Sequence, residues 1–172
     1  MSLLNTPEDP RHEVPNPMKK GPFRYFALSA VIVAFLIVFK NYGALPDEIP
    51  VHFNAKGEID GYGSKAMLWI LPVISAGIYA LLGWTGTLRN YGSFNYPVAI
   101  TEENAFEQHR IALQILAAVR LVVCLLLAYL AYAIVRSALA EQSLLNPWVM
   151  GGMMALLFGV IGWGLKASYD AK

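Results

Sequence analysis

Two stretches of the chain, residues 66–88 and 142–165, run for 23 and 24 residues without a charged side chain. A helix that crosses a bilayer needs about 20 mostly apolar residues, because the hydrocarbon layer is about 30 Å thick and each residue adds about 1.5 Å. Two shorter apolar runs, 25–39 and 121–135, reach that length when flanking residues join them. The sequence therefore predicts an all-α membrane protein with four transmembrane helices. We expect these helices at about residues 24–42, 66–88, 117–138 and 147–165.

The composition excludes several other classes of protein. Of the 172 residues, 56% are hydrophobic and 15% are charged, whereas a soluble domain has about 25% charged residues. A net charge of +1 provides no field that would hold a nucleic acid. Cys124 is the only cysteine, which excludes a disulfide scaffold. We expect membrane lipid around the chain, no nucleic-acid partner and no cofactor, and the composition leaves the oligomeric state open.

The distribution of Lys and Arg sets the expected orientation, because cytoplasmic loops are enriched in these residues. If the four helices alternate in direction, nine of the 13 Lys and Arg fall on the side that carries the N-terminus. We therefore predict that both termini are cytoplasmic and that residues 23–172 form the four-span membrane domain. The segments around the helices are then a flexible cytoplasmic tail, an outer cap and an inner connector. They span residues 1–22, 43–65 and 89–116.

The first apolar run has an alternative interpretation as a cleaved signal peptide. Lys19, Lys20 and Arg24 precede it, as basic residues precede the apolar part of such a peptide. However, bulky Tyr42 stands where a cleavage site needs small residues. This arrangement favours a membrane anchor that is not cleaved.

The end of the inner connector has a helical pattern. Thr101 is a suitable N-cap, and the chain continues without a helix breaker to about Ala138. Polar residues recur there at steps of three and four, which predicts that the third span has an amphipathic foot at the cytoplasmic surface. The polar stripe consists of Glu103, Glu107, Arg110 and Gln114.

Two polar side chains lie inside the apolar spans. Arg120 is either a functional residue that pairs with another helix, or a side chain that snorkels to the inner interface at the start of the third span. Tyr79 has a hydroxyl near the middle of the second span, where it needs a hydrogen-bond partner.

A stripe of small residues marks the fourth span. Such a stripe lets two helices approach closely in a membrane. It predicts packing within the bundle, with homodimerisation as the alternative. The stripe consists of Gly151, Ala155, Gly159 and Gly162.

The outer cap carries the most informative sequence, LPDEIPVHFNAKGEIDGYGSK, over residues 45–65. Residues 51–53 alternate like a short strand, and residues 54–57 predict a turn in which Gly57 adopts a positive φ. Asp60 and the glycines after it predict a second turn. We expect a compact, hairpin-like cap between the first two transmembrane helices.

Six residues of this cap are candidates for a binding site, because loops held on rigid helices often carry binding groups. They are His52, Phe53, Asn54, Gly57, Asp60 and Lys65. A metal site is not predicted, since no second His or Cys is nearby, and no nucleophile with a positioned base indicates an enzyme. The alternative is that the polar side chains only satisfy the turns and face water.

The cap resembles the signature of a bacterial membrane domain of unknown function, which forms the N-terminal part of SdpI-type toxin-immunity proteins. The resemblance covers residues 25–90 well and residues 91–135 loosely. Twelve positions carry it: Leu45, Pro46, Ile49, Pro50, His52, Phe53, Gly57, Asp60, Tyr62, Gly63, Ser64 and Lys65. The resemblance implies a multi-pass protein of the bacterial inner membrane that protects against an exported peptide toxin.

We therefore expect an SdpI-like immunity or sensing protein that binds an external peptide or an envelope partner. The alternative is a structural accessory subunit that packs on a larger membrane protein through the fourth span. A third hypothesis, a small transporter or membrane enzyme, depends on Tyr79, Arg120 and the carboxylates of the cap.

Overall fold

The computed structural model describes residues 14–87 and 94–172. In these ranges the chain forms four α-helices and one β-hairpin. In chain order the elements are α1 (Pro22–Asn41), β1 (Glu48–Phe53), β2 (Ile59–Ser64), α2 (Ile70–Thr85), α3 (Ala105–Ala140) and α4 (Pro147–Asp170). Two short 3₁₀ helices, Tyr42–Ala44 and Lys65–Trp69, join the hairpin to α1 and α2.

Four helical stretches in the described ranges are long and apolar enough to cross a membrane, as predicted. They are Pro22–Ala44, Lys65–Thr85, Ala105–Ala140 and Pro147–Asp170. The fourth begins at Pro147, as the sequence predicts. Proline suits the first turn of a helix because the N–H that it lacks would have no partner within the helix there. The Asn146 side chain accepts hydrogen bonds from the backbone amides of Trp148 and Val149, which caps this helix.

Successive helices run in opposite directions, so the bundle has two distinct ends. At the hairpin end, the hairpin meets the end of α3, and an apolar cluster joins Val38, Ile49, Leu68 and Ala131. At the opposite, terminal end, the start of α3 meets the end of α4. There the Gln108 side chain donates to the Ser168 carbonyl at 2.8 Å.

α3 begins four residues later than Thr101, where the sequence predicts its N-cap. The Thr101 amide donates to the Asn104 side chain at 2.9 Å, and the Asn104 amide donates to the Thr101 hydroxyl at 3.3 Å. These reciprocal bonds form a separate turn over residues 101–104, so that α3 starts at Ala105. Thr101 therefore caps this turn instead of the long helix.

The tightest helix packing lies between α1 and α3. Ala27, Ala30 and Ala34 recur along one face of α1 and are buried, as is Cys124 of α3. Small side chains allow two helices to approach closely, which favours association where lipid is as apolar as the helix surface. α3 also contacts α2, α4 and β1, so that it forms the centre of the bundle.

The stripe on α4 does not pack against the described residues, contrary to the prediction of packing within the bundle. Its four residues, Gly151, Ala155, Gly159 and Gly162, are exposed. A Cβ atom built on any of its three glycines meets no described atom within 4 Å. The close contact is made instead by Gly164, where a Cβ would clash with Cδ1 of Ile115 on α3.

The structure describes only the last part of the predicted flexible tail. Residues 1–13 lie outside the described residues, whereas residues 14–21, which we call the N-terminal segment, lie against the terminal end. Val14 and Met18 are buried in an apolar cluster with Leu113 and Ala117 of α3. The many prolines of this region stop helix formation, but they leave these two apolar side chains free to pack.

We predict that a methyl group has opposite effects at two glycines of α4. Gly164→Ala should lower the free energy of unfolding in detergent by about 1–3 kcal/mol, because the added carbon overpacks the contact with Ile115. Gly159→Ala should leave it unchanged or raise it by up to about 1 kcal/mol through helix propensity. Denaturant unfolding of both variants checks this, and equal effects would contradict the packing of α4.

Candidate functional site

The β-hairpin is built around a tight turn at residues 54–58. The Asn54 side-chain oxygen accepts hydrogen bonds from the amides of Lys56 at 2.9 Å and of Glu58 at 3.0 Å. Gly57 adopts φ +80°, a conformation that favours glycine, and its amide donates to the Asn54 carbonyl at 2.9 Å. The predicted turn and the positive φ of Gly57 are confirmed.

The second predicted turn, at Asp60 and the following glycines, is wrong. These residues lie in β2, which pairs antiparallel with β1. A Cβ atom on Gly61 would lie 2.9 Å from Cβ of His52, and one on Gly63 would lie 3.1 Å from Cγ2 of Val51. The glycines therefore allow the close approach of two strands instead of a change in chain direction.

Lys65 ties the base of the hairpin to the bundle. Its Nζ lies 2.9 Å from Oδ1 of Asp47 and 3.3 Å from the Leu45 carbonyl oxygen, and it sits 5.5 Å from the centre of the Tyr42 ring. The hydrogen bond and the charge of Lys65 hold the pKa of the Asp47 carboxyl below its usual value. Lys65 is therefore an anchor of the hairpin and lies apart from the other candidate residues.

The tip of the hairpin rests on the connection between α3 and α4. The Ser143 hydroxyl donates a hydrogen bond to the Gly57 carbonyl. A Cβ atom on Gly57 would lie 3.1 Å from the Leu145 carbonyl oxygen and 3.2 Å from Cδ of Pro147. Gly57 is thus required both by its backbone conformation and by the close approach of the neighbouring chain.

Two pairs of polar side chains are presented on the surface of the hairpin. Nδ1 of His52 lies 2.5 Å from Oδ1 of Asp60, and the two side chains are 71% and 41% exposed. Nδ2 of Asn54 donates to Oε2 of Glu58 at 2.8 Å. The structure thus pairs the predicted residues His52 and Asp60, which are eight positions apart in the sequence. In the described ranges, no group of three His, Cys, Asp or Glu residues is arranged to hold a metal ion.

A cavity of about 490 Å³, which we call the hairpin groove, lies between the hairpin and the helices. It is lined by residues 51–55, by Leu71 of α2, by Leu130 and Ile134 of α3, and by the start of α4. His52 and Asn54 are its polar members, and Phe53 is one of its apolar members. The groove therefore unites three of the predicted cap residues with an apolar surface formed by the helices.

Arg120 and Tyr79 lie far from this groove, nearer the terminal end. The Arg120 guanidinium lies 4.6 Å from the centre of the Tyr79 ring. The Arg120 side chain is buried, which differs from a snorkelling side chain, and among the described residues it forms no ion pair. Its Nη2 donates to the Met18 carbonyl at 3.3 Å.

The roles of Met150, Met154 and Ser143 were not predicted from the sequence. Met150 and Met154 line the hairpin groove from α4. Ser143 holds the hairpin tip, and no local pattern marks it. The residues that these side chains contact are about 90 positions away in the sequence, so spacing along the chain does not predict the contacts. The role of the two methionines is seen only in the structure, where they lie on the side of α4 that faces the hairpin.

A known family of protein domains matches the part of the chain that contains this hairpin. Residues 30–76 match the family model described as "Domain of unknown function (DUF1648)". This segment covers the second half of α1, the hairpin and the start of α2, and it confirms the predicted resemblance to a domain of unknown function. The association with toxin-immunity proteins stays a prediction.

An uncharacterized protein of Archaeoglobus fulgidus is 34% identical to this chain over 62 residues. The alignment covers 35% of this chain and 34% of that protein, so the chain spans about a third of the length of this relative. No solved structure matches the chain.

We predict that the Asp47 carboxyl titrates below an ordinary aspartate and that Lys65→Met returns its pKa to the usual range. Because the folded-state pKa is lowered, the pair stabilises the fold above the ordinary aspartate pKa. This stabilisation is lost as the pH falls through the lowered pKa. An NMR titration of the carboxyl in both proteins checks this. An unchanged titration in Lys65→Met would show that the two side chains are not paired.

Proposed function

We propose that this chain is a membrane-embedded binding module whose ligand is an apolar segment of an external peptide or envelope protein. The hairpin groove is the observation that carries this proposal. Its volume of about 490 Å³ falls in the range of about 300–1,000 Å³ that ligand pockets occupy. Its apolar walls suit an apolar side-chain cluster, and the polar groups of His52 and Asn54 suit the backbone of a bound segment.

The proposed orientation places the hairpin outside the cytoplasm and both termini inside, in the inner membrane of the cell. Nine of the 13 Lys and Arg lie on the side of the termini when the helices alternate, in agreement with the bias for positive residues inside. An exported peptide would then meet the hairpin directly. Immunity or sensing of the SdpI-like kind is the role that fits this placement.

α3 provides a route for a signal from the groove to the opposite side. Leu130 and Ile134 line the groove, and the same uninterrupted helix of 36 residues begins at the terminal end. Such a helix is about 54 Å long, more than the thickness of the hydrocarbon layer. In this proposal the protein binds and reports, and we assign it no catalytic role.

We predict that filling the groove abolishes binding. Gly151→Leu places a large side chain in the groove, whereas Gly152→Leu changes the neighbouring residue of α4, which does not line it. Both positions have open space, so both variants should fold. Full-length wild type and both variants are purified from native membranes, and peptides that copurify are identified by mass spectrometry.

The expected result is a peptide or protein that is present with wild type and Gly152→Leu, and reduced at least about tenfold with Gly151→Leu. The double variant His52→Ala, Asp60→Ala should also weaken its retention, because both side chains lie on the hairpin beside the groove. Equal retention by all four proteins would overturn the proposal.

A second candidate function is favoured by the exposed stripe on α4. A Cβ atom on Gly159 or Gly162 meets nothing within 4 Å, so another transmembrane helix could approach this face closely. The chain would then be an accessory subunit of a larger membrane protein. Gly159→Leu should release that partner while the hairpin variants retain it, and the reverse pattern counts against this function.

A further inference from the structure

Two arginines of neighbouring helices converge on the N-terminal segment. Nη2 of Arg120 donates to the Met18 carbonyl at 3.3 Å, and Nη1 of Arg24 donates to the next carbonyl, that of Lys19, at 2.9 Å. A guanidinium carries five N–H donors. Two consecutive carbonyl oxygens therefore receive hydrogen bonds from two guanidinium groups that have further donors to offer.

Arg120 is poorly satisfied for a buried cation. It is 1% exposed, and its Nε has no hydrogen-bond partner within residues 14–87 and 94–172. The Tyr79 ring compensates part of the charge. However, the second positive charge, that of Arg24, is held at the neighbouring carbonyl. A buried cation without a counter-charge is costly, and no acidic side chain among the described residues pairs with Arg120.

The positions of both arginines along their helices indicate where a negative group would come from. Arg120 precedes the end of α3 at Ala140 by 20 residues, which is about 30 Å of helix and equals the hydrocarbon thickness. Arg24 lies near the matching end of α1. When the edge of the hydrocarbon layer is set at Ala140, both guanidinium groups lie at the level of the lipid headgroups on the side of the termini.

We propose that Arg24 and Arg120 form a binding site for a phosphate group, and that the carbonyls of Met18 and Lys19 occupy this site while the N-terminal segment is closed. The planar fork of arginine binds phosphate oxygens through two parallel hydrogen bonds. Basic pockets between transmembrane helices on the cytoplasmic side bind anionic headgroups in the same way. A lipid headgroup and free phosphate share this chemistry.

The N-terminal segment is held over the site by two contacts that involve neither arginine. Nδ2 of Asn16 donates to the Gly86 carbonyl at 2.6 Å, and the Met18 side chain is buried beside Leu113 and Ala117. Phosphate binding at Arg120 requires this segment to move. Weakening the Asn16 bond should therefore strengthen binding, because the competing carbonyls are released more easily.

The test measures thermal unfolding of the full-length protein in a neutral detergent, titrated with three probes. Phosphatidylglycerol tests a lipid source, inorganic phosphate tests a free source, and diacylglycerol, which has no phosphate group and no charge, is the control. A ligand that binds the folded state raises the unfolding temperature with its concentration, which gives an apparent Kd. The variants are Arg24→Gln, Arg120→Lys and Asn16→Ala. The matched control is Arg136→Gln, an exposed arginine at the other end of α3.

We expect phosphatidylglycerol or inorganic phosphate to stabilise the wild type, and whichever does so identifies the source. Arg24→Gln should weaken that binding about tenfold or more through loss of a charged hydrogen bond, and Arg136→Gln should not. Arg120→Lys, which keeps the charge but not the fork, should also weaken it. Asn16→Ala should tighten it about fivefold.

Three results would overturn the proposal. The first is that neither probe stabilises the wild type more than diacylglycerol does. The second is that Arg24→Gln and Arg136→Gln weaken binding equally, which indicates general attraction to positive charge. The third is that Asn16→Ala leaves binding unchanged or weaker, since Arg120 then only anchors the N-terminal segment. If Arg120→Lys fails to fold, Arg24→Gln and Asn16→Ala still decide between these results.

Discussion

The close contact between α1 and α3 is the interaction on which the other elements depend. Buried alanines on α1 bring its backbone near α3, and the gain comes from packing because lipid supplies no hydrophobic driving force. α3 then offers its remaining faces to α2, α4 and the hairpin. The floor of the hairpin groove and the buried Arg120 both belong to this helix. Each candidate site therefore rests on the same rigid element.

The hairpin shows how a short polar segment can be held rigidly at the end of a membrane bundle. Its base is fixed by Ile49, which is fully buried, and by Lys65 with Asp47. Its tip is fixed by Gly57 against the residues that precede α4. Because both ends are held by contacts to the helices, the exposed pair His52–Asp60 has a defined position relative to the groove.

The features that could be predicted from the sequence are those that depend on local chemistry. The spans follow from their length, the start of α4 from Pro147, and the turn of the hairpin from Asn54 and Gly57. The second turn was wrong because a glycine in a strand and a glycine in a turn look alike in sequence. Gly61 is distinguished by its partner strand, because a Cβ atom added to Gly61 would lie 2.9 Å from Cβ of His52.

The packing of the helices could not be predicted in the same way. In a soluble protein, polar residues mark the outer face of a helix, but a lipid-facing surface is as apolar as a core. The glycines of α4 therefore resembled a packing surface, while the alanines of α1, which do pack, carried no stronger signal. Arg120 could be noticed as a charge among apolar residues, but its contact with Met18 joins residues 102 positions apart.

The connection between α3 and α4 sets the position of one wall of the hairpin groove. α4 packs mainly along α3, and its exposed faces leave it attached on one side. The connection begins at Glu141, which adopts a left-handed conformation with φ 53°, and ends at the Asn146 cap. Since α4 forms one wall of the groove, the width of the groove depends on how these six residues place the start of α4 relative to the hairpin.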